Sequence, residues 1–217
     1  TQPDLDDLEV SPEGWAWSTC DAAIDGISAG ASFKCDERPP VEGEIGVLKV
    51  SALTWGAYDE DESKTCKNVE RIEKKFLVRD GDFLFSRANT IELVGACVIV
   101  GKVTKQLMLS DKTLRFELNS RVLPAWLQIC LRCKFGRDEI ERLATGNQES
   151  MRNIGQDRIR QIRMPLPPLA EQVRIVAEVD RHLSIAREVE AEVDTNLKRA
   201  QALRQATLAR AFSVTGG

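Results

Sequence analysis

Histidine is almost missing from this sequence: His182 is its one imidazole. A Cys2His2 zinc site is therefore excluded. His182 falls in a long helical stretch and is expected to face solvent, so no Ser–His or Cys–His nucleophile pair is expected. No Gly-x-Ser-x-Gly motif is present, and no segment of 20–50 residues repeats. Long apolar runs are also lacking. The longest strongly apolar run, Ala96 to Val100, is far short of a membrane span. Hydrophobic residues make up 42% of the chain, enough for a globular core and too few for a membrane protein, so a cytoplasmic location is expected. The opening Thr1-Gln2-Pro3-Asp4 is polar and does not read as a signal peptide. It carries no initiator Met, which leaves open a processed chain or a fragment of a longer one.

Cysteine is present but scattered: Cys20, Cys35, Cys66, Cys97, Cys130 and Cys133. Only the last two are close in sequence, and a paired zinc site needs a second such pair. They are read as free thiols, and no metal is expected. The stretch from Gly95 to Lys102 superficially resembles a phosphate loop. It has five residues between its glycines where four are required, and Val103 stands where Ser or Thr should hold magnesium. It reads instead as a strand, and no cofactor site is expected. Asp80 and Asp82 sit in a turn and suit solvation better than acid–base work.

The net charge of −4 conceals an asymmetry. Residues 1–62 carry −12, residues 63–165 carry +8 and residues 166–217 are neutral. A basic middle suits a polyanion, although a solvated surface of mixed charges would look the same.

The chain divides into a flexible lead-in at 1–12, a globular domain at 13–165, a long helix at 166–213 and a tail at 214–217. Trp15 and Trp17 stand two apart, so both can pack on one face of an extended segment. Strands are expected at 46–51, 75–78, 82–86, 94–100, 107–109 and 113–118, with Arg79-Asp80-Gly81 as a turn. Residues 58–67 read as a charged loop. Pro124 opens a helix to about Lys134, and a second helix runs from Arg137 to about Ala144. The domain is thus α+β, with short strands first and helices at its end.

After Pro165, Pro167 and Pro168 the chain runs to Phe212 with no Gly or Pro and is rich in Ala, Leu, Glu, Arg and Gln. These are good helix formers, and proline is tolerated at a helix start. Val176, Val179, Leu183, Ala186, Val193, Leu197 and Ala200 follow a 3–4 spacing, the pattern of helix-on-helix packing. Glu190 and Arg204 interrupt the seam, so a modest partner is expected rather than a long zipper. A surface helix lying on its own domain is the competing reading; the length favours a partner helix.

The binding candidates lie in the basic middle. Ser86, Arg87, Asn89 and Thr90 follow a strand. Gly146, Asn147, Gln148, Ser150, Arg152 and Asn153 crowd a segment read as a loop between a helix end and the last strand. Arg bonds guanine, and Asn bonds adenine, in a bidentate manner. Asn and Ser also cap helices and shape turns, which is the plainer role for any one of them.

Five segments together resemble the specificity (S) subunit of a type I restriction–modification system. Pro12-Glu13-Gly14-Trp15-Ala16-Trp17 resembles the opening of a target-recognition domain. Val47-Leu48-Lys49-Val50-Ser51 and Gly81-Asp82-Phe83-Leu84-Phe85-Ser86-Arg87 resemble its interior strands. Thr145-Gly146-Asn147-Gln148 resembles the loop after its helices. The run from Met164 through Pro165-Leu166-Pro167-Pro168 and Glu171-Gln172 to Val176 resembles the start of its conserved helix and is the most specific match. The resemblance implies a non-catalytic subunit that binds double-stranded DNA and assembles with methyltransferase (M) and restriction (R) subunits. Such a subunit carries two recognition domains held apart by paired helices, each reading half of a bipartite site. This sequence has one domain and one helix, so a homodimer, or pairing with a second half, through an antiparallel coiled coil is expected. Lys64, Lys67, Lys102, Lys105 and Arg137 are then expected to hold phosphates. Two rivals remain open: a protein-interaction adaptor built on the helix and its prolines, and an enzyme fragment whose active site lies elsewhere.

Overall fold

The computed structural model describes residues 12–213, apart from 33, 56, 68–71 and 149–150, and leaves undescribed the side chains of 147, 148 and 211–213. Two compact units are present, one reaching Val173 and the other beginning at Arg174.

The first unit opens with β1 (Ala16–Thr19), β2 (Ile24–Ala29), β3 (Cys35–Asp36), β4 (Ile45–Leu48), β5 (Leu53–Thr54), β6 (Ala57–Tyr58) and β7 (Ser63–Cys66). It continues with β8 (Phe83–Ser86), β9 (Ala88–Asn89), β10 (Cys97–Ile99), β11 (Gln106–Met108) and β12 (Thr113–Leu118). The helices α1 (Pro124–Arg132) and α2 (Lys134–Leu143) follow, then β13 (Thr145–Gln148), β14 (Met151–Asn153), the short α3 (Gln156–Arg160) and β15 (Arg163–Leu166). The long helix α4 spans Leu169–Ser213. The fold is α+β, as the sequence indicates.

Two four-stranded sheets form the body, ordered β10-β8-β12-β2 and β11-β4-β7-β3. All their pairs are antiparallel except β11 with β4. Phe116 of β12 stacks on Phe83 and Phe85 of β8, with ring centroids 5.5 and 5.1 Å apart. On the opposite face of β12, Thr113 and Arg115 are buried as well, and Arg115 stands where a hydrophobe would be usual. Its guanidinium donates to the Leu77 carbonyl, to the Lys75 carbonyl and to Asp82 Oδ2. Segment 75–77 needs those donors because it is not the strand its sequence suggests. Lys74–Phe76 forms a 3-10 turn, and Leu77 makes only an isolated bridge to Met108. The charged stretch read as a loop at 58–67 holds the interior strand β7, whose Ser63 and Thr65 face inward. At Gly81 the chain turns with φ +81°, the left-handed region that the Arg79-Asp80-Gly81 sequence invites.

Pro124 stands at the first position of α1, where its missing N–H costs nothing. Gly136 lets α2 approach α1 closely: a Cβ there would collide with the Cys130 carbonyl. The paired aromatics near the start pack as their spacing predicts. Trp15 meets Trp126 edge-on at 5.6 Å, and Trp17 lies 5.2 Å from Phe135. Trp126 Nε1 also donates to the Pro165 carbonyl, so α1 covers β15, which pairs with β1.

The first turn of α4 is fixed by Gln172, which is fully buried. Its Nε2 donates to the carbonyls of Arg121 and Pro167, and its Oε1 accepts from the Leu123 N–H. In the second unit α4 continues as one helix. Leu183, Val189, Val193, Leu197 and Leu203 are all exposed on it. Val176 and Val179 are half-buried, and Ala186 and Ala200 are exposed. Among the described residues no helix is long and apolar enough to cross a membrane.

Candidate nucleic-acid interface

The segment read as a loop at 146–153 is a hairpin. β13 pairs with β14, and β14 pairs in turn with β9, making a three-stranded sheet that joins the two candidate segments. Separation along the chain conceals this pairing; register places Arg152 opposite Asn89 and Asn153 opposite Ala88. Gly146 lies in the left-handed region at φ +119°, and a Cβ there would press on the Met151 carbonyl, so the hairpin needs glycine at this point.

Arg87 and Asn153 are brought together. Arg87 Nε and an Nη donate to Asn153 Oδ1 at 3.4 and 3.3 Å, long bonds that a competing acceptor can displace. Both side chains line a shallow groove with Thr145, Gln156, Asp157 and Arg158. Asn89 lines a second hollow, with Lys49, Lys64, Ser110 and Lys112. The short stretch 87–89 thus supplies both. The Lys112 carbonyl accepts from the Arg87 N–H and sets the β11–β12 turn beside it. Sequence reading missed Lys49, Lys112, Thr145, Gln156 and Arg158, because only long-range pairing gathers them.

Four buried side-chain polar atoms lack a partner among the described residues: Tyr58 Oη, Ser86 Oγ, Asn89 Nδ2 and Arg152 Nε. Three of them belong to β8, β9 and β14. Buried polar groups are normally satisfied, and two of these, on Asn89 and Arg152, belong to residues that stand opposite each other in the β9–β14 pairing.

Several expected contacts need correction. Ser86 is 1% exposed inside the sheet and offers nothing to a ligand outside. Arg137 does not present its charge to a phosphate. Its guanidinium donates to the carbonyls of Ile91 and Val94, lies 4.6 Å over the Trp55 ring and pairs with Glu141 at 3.5 Å. Burial lowers its pKa, with Glu141 pulling the other way. Arg137 therefore braces the 91–95 turn. Arg152 spends its terminal nitrogens on the carbonyls of Gly146 and Ala144, holding the hairpin to the end of α2.

Thr90 is half-buried, and its N–H bonds Asn89 Oδ1. Lys64 pairs with Glu37 at 2.5 Å, Lys67 with Asp36 at 2.6 Å, and Lys105 with Asp61. Lys102 is exposed and forms no ion pair among the described residues. Ser150 lies outside the described residues, and the backbones of Asn147 and Gln148 lie in β13. Among the described residues no group of three or more His, Cys, Asp or Glu could hold a metal ion.

No protein-family model matches the chain. Over 203 residues it is 33% identical to the type I restriction enzyme EcoEI specificity subunit of Escherichia coli, covering 91% of this chain and 34% of that one. It is 29% identical over 177 residues to the EcoKI specificity subunit of Escherichia coli K12, covering 80% and 38%. Among solved structures, it superposes on the type I restriction–modification S subunit of M. genitalium with a TM-score of 0.55 and 15% identity, covering 88% of this chain and 45% of that one. A chain from a structural study of the assembly of the type I restriction–modification system gives 0.60 at 20% identity, covering 90% and 45%. The chain spans less than half the length of each of these relatives. Sequence and fold agree, and the chain is a homologue of part of the type I restriction specificity subunit.

Proposed function

We propose that this chain reads DNA sequence for a type I restriction–modification complex and performs no chemistry itself. The observation that carries the reading is the 33% identity to a specificity subunit over 91% of the chain. The β9–β14 pairing, which gathers Arg87, Asn89 and Asn153 at two open hollows, supports placing the reading surface there. Arg87 and Asn153 face the major groove, the groove that distinguishes all four base pairs. Lys102, together with Lys64, Lys67 and Lys105 once their carboxylate partners let go, holds phosphates and sets the register without specifying sequence. Asn89, Thr90 and the β13–β14 hairpin, with Gly146, Asn147, Gln148 and Ser150, form the rest of the surface.

The exposed apolar row on α4 pairs antiparallel with the same row of a second copy, or of a second half-subunit. Two recognition units then read two halves of a bipartite site. Methyltransferase subunits dock beside the helices and methylate, and a restriction subunit joins to cut.

Selection from randomised duplexes, with the methyltransferase subunit present, tests the proposal. A two-part consensus with a fixed gap is expected. Enrichment of no sequence would overturn it.

A further inference from the structure

The antiparallel pairing of β3 with β7 sets Cys35 directly opposite Cys66. Opposed residues of such a pair point to one face, with Cα atoms about 4.5 or 5.5 Å apart according to the hydrogen-bond pattern. Both spacings fall within the roughly 4.4–6.8 Å that a disulfide accepts. Both cysteines are free and half-buried. Their register is held from either side. Glu37 pairs with Lys64, Asp36 pairs with Lys67, and Thr65 Oγ1 donates to the Arg38 carbonyl at 2.9 Å. Yet β3 is only two residues long and forms the edge of its sheet. The ion pairs on it are exposed, and exposed pairs hold weakly.

We propose that Cys35 and Cys66 are an oxidation site, a reversible dithiol–disulfide pair that takes a peroxide as co-reactant and, when closed, fastens the edge strand β3 to β7. One thiolate attacks a peroxide oxygen. The S–O bond forms, the O–O bond breaks, and the departing hydroxide takes up the thiol's proton as water. The second thiol then attacks the sulfenic sulfur. The S–S bond forms as the S–O bond breaks, and a second water leaves. Two electrons pass from the sulfurs to the peroxide. Burial pushes the Cys66 thiol up to about 12, and the neighbouring Cys35 adds to the rise. Attack by Cys66 is therefore slow at neutral pH. Cys35 also lines the hollow that holds Lys64 and Asn89, so closure fixes one of its walls. The site itself does not depend on DNA entering that hollow.

The test treats the folded full chain with hydrogen peroxide, alkylates the remaining thiols and maps the peptides. Cys133, the exposed thiol, reports that peroxide has acted. A peptide linking Cys35 to Cys66 is expected, lighter by two hydrogens and released by dithiothreitol. It should vanish in Cys35→Ser and in Cys66→Ser, and amide exchange across 35–37 should slow in the linked form. The proposal is overturned if Cys133 oxidises while Cys35 and Cys66 stay open to alkylation. It is equally overturned if both pass to sulfinic acid without linking. A chain that forms the link yet selects no DNA leaves this site standing and removes the function proposed above.

Discussion

Glu139 is 3% exposed and would be a costly burial if it stood alone. Desolvation raises its pKa, but Arg163 and Arg142 donate to both of its oxygens and outweigh burial, holding the carboxyl at about 2. A carboxylate with a depressed pKa stabilises the fold above its unfolded value and loses that contribution as pH falls through the folded one. The window therefore runs from about pH 4.5 down to about 2, with at most about 3 kcal/mol at stake. Urea unfolding at pH 7 and pH 3 should show a larger drop for the native chain than for Glu139→Gln. The substitution itself should cost about 3 kcal/mol at pH 7, because it weakens the hold on Arg163 and Arg142. Gln172 makes a parallel case without charge. Gln172→Ala strands three backbone groups, at Arg121, Leu123 and Pro167, and should cost about 2–3 kcal/mol by thermal or urea denaturation. At the reading surface, Arg87→Ala should cost about 1–3 kcal/mol of DNA affinity and relax one position of the selected site. Lys102→Ala should instead weaken all duplexes alike and reduce the salt slope by about one. Binding titrations across salt concentrations separate the two outcomes.

At the scale of elements, periodicity and punctuation were good guides where a segment is buried on one face. The start of α1 at Pro124, the strand at 113–118 and the turn at Gly81 all follow from local residues. Expectation failed where local pattern met tertiary demand. Residues 75–78 have strand-like composition, but Arg115 supplies donors to the carbonyls of Lys75 and Leu77, and Lys74–Phe76 forms a 3-10 turn. Residues 63–66 are polar, yet they form an interior strand because β4 pairs along one edge and β3 along the other. The α1–α2 corner rests on one missing side chain. Gly136→Ala should destabilise by about 1–3 kcal/mol through overpacking against the Cys130 carbonyl, measurable as a lowered Tm.

At the scale of the molecule, α4 is 45 residues long, about 67 Å at the standard helical rise. Isolated helices are marginal in water, and one with an exposed apolar row gains most from a partner helix. Static light scattering at micromolar concentration should give about twice the 24.2 kDa of one chain. Val193→Glu with Leu197→Glu should halve that mass and leave thermal unfolding of the first unit in place. A wild-type monomer would remove the homodimer and leave pairing with a second half-subunit. A homodimer would relate its two recognition units by one twofold axis, and the selected consensus should then be a palindrome interrupted by a fixed gap.

The sequence alone determined the α+β class, the proline-led helix with its apolar seam, the basic middle, and the resemblance to specificity subunits, in which the run from Met164 to Val176 takes part. Each is written in neighbouring residues, because helix propensity, punctuation and short motifs act over a few positions. Tertiary structure decided what local pattern does not encode. It paired β9 with β14, took Ser86 and Arg137 out of reach of a ligand, brought Lys49 and Lys112 to the hollow beside Asn89, and set Cys35 opposite Cys66 across 31 positions of chain. Strand register joins residues distant in sequence, and only the whole set of backbone hydrogen bonds and buried contacts fixes which of them meet.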